Sequence, residues 1–140
     1  MRGLVMAVTL GLVIGGCGKD EHGNHGHGGS GSVHVPERYA EAVKACEALS
    51  AKIDSLIASG KLADVHGAAD GIRQIAEKLP AIARKELPEQ GQKEVDAKAR
   101  DLAALFTEID EAADAGMKQD TIKVHGKMKE LIAALRAHAK

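Results

Sequence analysis

The sequence predicts an all-α protein, an antiparallel up-down four-helix bundle built from two duplicated helical hairpins. Three observations predict it. Ile53-Asp54, five residues, Gly60 and then Val65-His66-Gly67 returns as Ile109-Asp110, five residues, Gly116 and then Val124-His125-Gly126. The Ile-Asp and Gly offsets are 56 (109 − 53, 116 − 60) and the Val-His-Gly offset is 59 (125 − 66), as in a hairpin whose turn has changed length. Apolar residues also recur at helical spacing in four stretches, separated by Gly60, Leu87-Pro88 and Gly116. Lastly, hydrophobic residues make up 44% but aromatics only 1%, with Tyr39 and Phe106 alone and no Trp. A core of Ala, Leu, Ile and Val suits closely packed helices.

The first helix is expected from Pro36 to Ser59. Proline fits the first helical position, and Glu37 and Glu41 lie near the end where negative charge is favourable. Tyr39, Val43, Cys46, Leu49, Ile53, Leu56 and Ile57 form its stripe, and Gly60 ends it as a C′ residue. Cys46 aligns with Leu102 in the repeat, which reads as a small core residue. The second helix begins near Lys61 with Leu62, Val65, Ala69, Ile72, Ala76, Leu79 and Ile82 on one face, and Pro80 predicts a kink or break near Leu79. Arg84 to Gln92 reads as a connection, with Pro88 at the first position of a third helix running to Ala115. Val95, Ala99, Leu102, Leu105, Phe106, Ile109 and Ala113 are its stripe. The fourth helix is expected from Asp120, as N-cap, to Ala139, with Ile122, Val124, Met128, Leu131, Leu135 and His138 along its face.

Residues 1–16 read as a signal peptide, 17–35 as a lipidated cysteine and tether, and 36–140 as the bundle. Arg2 supplies a short positive region and Leu4 to Ile14 an apolar run, the length of a signal core and too short to span a bilayer. Ile14-Gly15-Gly16-Cys17 resembles the lipobox of bacterial lipoproteins. That resemblance implies cleavage before Cys17, acylation of its sulfur and new amine, and anchorage in a membrane. Gly18 is not the aspartate associated with inner-membrane retention, so the expected address is the periplasmic face of the outer membrane. Loss of residues 1–16 removes only Arg2, leaving 18 basic residues against 20 acidic, a net of −2 that suggests no nucleic-acid surface. With Cys17 lipidated, Cys46 is the one remaining thiol and no disulfide framework forms.

The tether is rich in Gly, Ser and charged residues, and it carries His22, His25, His27 and His34. Gly-flanked imidazoles in a mobile segment can take Cu(II), Ni(II) or Zn(II) without a fold, or serve merely as a hydrophilic spacer. The repeat makes a second, geometric statement. His66 and His125 each lie about five residues into parallel helices, roughly 7–8 Å from the bundle end, and Asp54 and Asp110 sit at matching depth on the other two. One layer is therefore expected to hold two His and two Asp, a ligand set for Zn(II), Cu(II) or Ni(II), with Met128 one turn on as a soft donor. The competing reading is a partly exposed His beside an Asp, since both histidines lie one position beyond the stripe. Gly67 and Gly126 would then permit close helix contact.

Catalysis is not expected. No nucleophile elbow, His-Glu-x-x-His, phosphate loop or Cys-x-x-Cys is present. Haem is not expected either, for want of a Cys-x-x-Cys-His and of aromatics to line its pocket.

The lipobox, the His-rich tether and the Ala-rich bundle together resemble the periplasmic helical proteins that accompany heavy-metal efflux systems in bacteria. Gly60-Lys61-Leu62-Ala63-Asp64-Val65-His66 and the Ile72/Ile75/Leu79 helix carry most of the likeness. It implies metal binding for buffering, sequestration or delivery in the envelope, through His66, His125 and the tether histidines. The alternative is a non-catalytic helical interaction module of the envelope, facing another envelope protein and holding no metal.

Overall fold

A computed structural model describes residues 33–139. The expected signal peptide, Cys17, His22, His25 and His27 lie outside the described residues. Four helices follow in order: α1 Tyr39–Ala58, α2 Val65–Glu86, α3 Glu89–Asp114 and α4 Lys118–Arg136, with a 3-10 turn at Leu62–Asp64 leading into α2. Each helix packs against its sequence neighbour and α4 returns to α1, giving an up-down four-helix bundle. The α2–α3 contact is the most extensive and α1–α4 the least. No turn joins α1 to α4, so that edge depends on side chains alone.

Ile53, Ile72, Ile75, Leu79, Leu102, Ile109, Met128 and Leu135 are fully buried among the four helices. Each such aliphatic side chain contributes about 1.5–3 kcal/mol of transfer free energy. Ala42, Ala69, Ala76 and Ala99 are buried between them, where larger residues would hold the helices apart. Tyr39 is buried as well, and its hydroxyl donates to the Leu135 carbonyl at 2.8 Å, tying the start of α1 to the end of α4.

The glycines that end α1 and α3 do the same thing. Gly60 has φ 73° and Gly116 has φ 69°, the left-handed conformation that glycine adopts without a Cβ clash. The amides of Lys61 and Met117 donate to Leu56 and Ala112 carbonyls at 2.9 Å, while the glycine amides donate to Ile57 and Ala113 at 3.2 and 3.0 Å. Both turns therefore satisfy the last helical carbonyls by one paired pattern.

The expected boundaries need correction at several places. Pro36 is not a helical residue: α1 starts at Tyr39, whose amide donates to Glu86 Oε2 at 3.2 Å from the end of α2. Val33 instead lies over α2, with its amide donating to Gln74 Oε1 at 3.2 Å. Gly71 admits this approach, because a Cβ there would fall 2.9 Å from Leu49 Cδ1 and 3.1 Å from Val33 Cγ2. Gly67 and Gly126 do not play that part, since a Cβ at either would meet nothing within 4 Å.

Pro80 does not break α2, which runs on to Glu86 with Leu79, Ile82 and Ala83 buried on both sides of the proline. Their burial offsets the interruption of about 3 kcal/mol that an interior proline imposes. The connection shrinks to Leu87 and Pro88; Pro88 is the N-cap of α3, and Glu89 is its first residue. Asp120 is not a cap: α4 begins at Lys118 with Met117 as N-cap, and Asp120 lies within its first turn. The α4 stripe is also rotated from expectation. Ile122 is exposed, whereas Thr121, Val124, His125, Met128, Ile132 and Leu135 face inward. Among the described residues no helix is long and apolar enough to cross a membrane.

Candidate functional site

The repeated Asp and His residues meet, but crosswise. His66, in the first turn of α2, places Nδ1 2.6 Å from Asp110 Oδ1 on α3. His125, in the second turn of α4, places Nδ1 3.3 Å from Asp54 Oδ1 on α1. The histidine of each half of the chain thus faces the aspartate of the other. The two pairs bridge α2–α3 and α1–α4, which are opposite edges of the bundle. A third imidazole, His138, lies with Nε2 3.2 Å from Glu94 Oε2 and fastens the end of the chain to α3. His34 is exposed.

The expected four-residue layer therefore separates into two pairs. Among the described residues, no three His, Cys, Asp or Glu side chains gather in a group that could hold a metal ion. Met128 is fully buried in the core beside Ile132 and Leu135 on the same face of α4. Cys46 is fully buried too, and burial, helped by Glu47, pushes its thiol up to about 12. Such a thiol is inert at neutral pH, in keeping with a core residue.

The two pairs have different surroundings. The His66 side chain is 39% exposed and Asp110 24%. The His66 ring meets Phe106 edge-on at 5.6 Å between centroids, and the Arg73 guanidinium lies 5.3 Å from the same Phe106 ring. Arg73 in turn donates to Asp70 Oδ1 at 2.6 and 2.9 Å and to Glu77 Oε1 at 2.6 Å, which holds its guanidinium firmly charged. Asp70 is buried at 4% exposure and also accepts from Gln74 at 2.7 Å. None of this network was marked by the repeat.

His125 is only 2% exposed. Its Nδ1 lies at an ion-pair distance from Asp54 Oδ1, and its Nε2 is hydrogen-bonded with the Ser50 hydroxyl at 2.9 Å, the tautomer of the ring deciding which of the two donates. Burial pushes His125 below the ordinary imidazole value. Asp54 opposes that shift, Lys129 reinforces it, and Ser50 opposes it more weakly. Lys129 Nζ also donates to Asp54 at 3.1 and 3.4 Å, so His125 and Lys129 share one carboxylate.

Ser50 was missed by the sequence reading, although a signal existed. It lies one helical turn before Asp54 on the same face, and its repeat equivalent is Phe106 (50 + 56), one turn before Asp110. That position touches the opposing histidine in both halves: Phe106 by its ring, Ser50 by its hydroxyl.

Ser50, His125 and Asp54 have the connectivity of a nucleophile, a base and its orienting acid. Acyl transfer also requires donors aimed at a developing oxyanion. Ser50 lies in mid-helix, where the α1 amides are engaged in the helical ladder, and is 5% exposed. The adjoining groove, about 450 Å³, has Lys129 and Arg136 as its cations; these are paired with Asp54 at 3.1 Å and Glu47 at 2.8 Å. Ser50, His125 and Asp54 form a polar bridge between α1 and α4.

Comparison with family models, with curated proteins and with solved structures gave no match.

Proposed function

We propose that this chain is a non-catalytic helical interaction module of the bacterial cell envelope, anchored through a lipid on Cys17 and built from two copies of one hairpin. One observation carries the reading: the bundle's repeated histidines are engaged in pairs between helices, His66–Asp110 and His125–Asp54, and among the described residues no third His, Cys, Asp or Glu joins either pair to make a metal-holding group. Duplication is supported by the matched turns at Gly60 and Gly116 and by the crosswise pairing. With its polar interior committed to the fold, the bundle acts through its outer faces. A groove of about 600 Å³ between α3 and α4, floored by Ala97, Ala134 and Ala137 and rimmed by Lys93, Lys98, Glu94 and His138, suits an apolar ridge from a partner helix.

Metal capture is the second reading, and it rests on the imidazoles of His25-Gly26-His27 and the nearby His22 and His34 in a glycine-rich stretch of the sequence. The periplasmic face of the outer membrane remains the proposed location.

Cross-linking and affinity capture from cells test the primary reading. The wild-type chain, a variant with His22, His25, His27 and His34 replaced by Ala, and Ala134→Glu are compared. The module reading expects the same partner from the first two and its loss with Ala134→Glu. Loss of the partner only when the tether histidines are replaced would transfer function to the tether and to metal.

A further inference from the structure

The α1–α4 edge stands apart from the other three edges of the bundle. It has the least extensive helix contact and no connecting turn. A groove of about 450 Å³ runs along it, lined by Ser50 and Ile132 and spanned at its surface by Arg136–Glu47 at 2.8 Å and Lys129–Asp54 at 3.1 Å. Beneath those surface pairs lies a buried imidazole with one hydroxyl and half a carboxylate for company.

We propose that this edge is an acid-opened joint: protonation of His125 loosens α4 from α1, while α2 and α3, bridged by His66 and Asp110, stay packed. The charged groups acting on His125 are Asp54 from α1 and Lys129 from its own helix, and the hydrogen-bonding group is Ser50 from α1. Among the described residues α2 and α3 bring no charged or hydrogen-bonding group to it.

A second proton on the ring creates a buried cation one turn from the Lys129 ammonium, and both must draw on Asp54. The nearest remedy is solvent, which reaches the ring when α4 moves away from α1. At the opposite edge the His66 ring is 39% exposed beside Asp110, so that bridge holds no buried imidazole. One signal thus acts on one edge. Opening there bares Ile53, Ile132 and Met128, an apolar strip that the closed bundle conceals.

Hydrogen exchange of the full chain, followed by mass spectrometry at about pH 7.5 and about pH 5.5 with times scaled for intrinsic chemistry, tests the joint. Protection in α1 and α4 is expected to fall by about fivefold or more at the lower pH, with α2 and α3 changing by less than about twofold. Two surface substitutions push in opposite directions. Lys129→Ala removes the competing cation and should shrink the pH response, whereas Asp54→Asn removes the compensating anion and should enlarge it. Both residues are exposed, so both variants retain the core. Equal loss of protection in all four helices, no loss in α1 and α4, or a wild-type response in both variants would overturn the proposal.

Discussion

Ser50, Asp54 and His125 hold at one edge of the bundle the positions that Phe106, Asp110 and His66 hold at the other. The pairing is matched, yet the physics differs because one position carries a different residue. Phe106 presents a ring edge to an imidazole that remains partly in water, with Arg73 close by. Ser50 is small, which lets His125 settle to 2% exposure, and its hydroxyl supplies the partner that a buried Nε2 requires. Burial then makes the second pair sensitive to protonation and leaves the first an ordinary surface bridge. A repeated pattern thus fixes where groups meet, while the residue one turn away fixes what their meeting does.

The sharpest break between the two edges is expected from removal of each histidine. His125→Ala leaves a cavity and an unpaired buried hydroxyl and should destabilise the fold by about 2–4 kcal/mol in denaturant unfolding. His66→Ala should cost about 1 kcal/mol or less, because its pair is partly solvated. Equal losses would mean that burial does not separate the edges.

Smaller effects sharpen the same contrast. Ser50→Ala should cost about 1–2 kcal/mol, since it strands Nε2 of His125. The pH dependence has a definite sign. His125 in the folded chain lies below its unfolded value, so its neutral form is favoured by folding. The stability it contributes is complete above about pH 6.5 and is lost as pH falls toward the folded value, at no more than about 1.4 kcal/mol per pH unit. Thermal unfolding from about pH 7.5 to about pH 5.5 should show this slope in the wild type and not in His125→Gln. Gly60→Ala and Gly116→Ala, which place a Cβ in matching left-handed turns, should each cost about 1–2 kcal/mol and by similar amounts. The smallest expected effect is the His66–Asp110 coupling, about 0.5–1 kcal/mol in a double-mutant cycle.

Much of this architecture was legible in the chain. Helical periodicity and the punctuation at Gly60, Pro88 and Gly116 placed four helices and their turns to within a few residues. The repeat marked Asp54, Asp110 and the two histidines together, but as one four-residue layer and not as two crosswise bridges. Helical spacing gives depth along an axis, whereas the facing of a side chain depends on the rotation of each helix against its neighbours. For that reason Ile122 was placed inside and His125 at the margin, when a small rotation of α4 exposes one and buries the other. The break expected near Pro80 failed for a related reason, since local propensity cannot register the tertiary burial of Leu79 and Ile82 that carries α2 through it. The tight approach at Gly71 depends on Leu49 and on Val33, far away in sequence, so no local pattern marked it.

The most direct test of the proposal that the bundle histidines serve the fold rather than a metal is imidazole ¹⁵N NMR of the full chain at about pH 7.5, before and after about one equivalent of Zn(II). The ring nitrogens of His66 and His125 should give the same shifts before and after addition, with any zinc-induced shift confined to histidines of the tether. A joint displacement of the His66 and His125 nitrogens on zinc addition would contradict it and restore the two-histidine, two-aspartate layer as a metal centre.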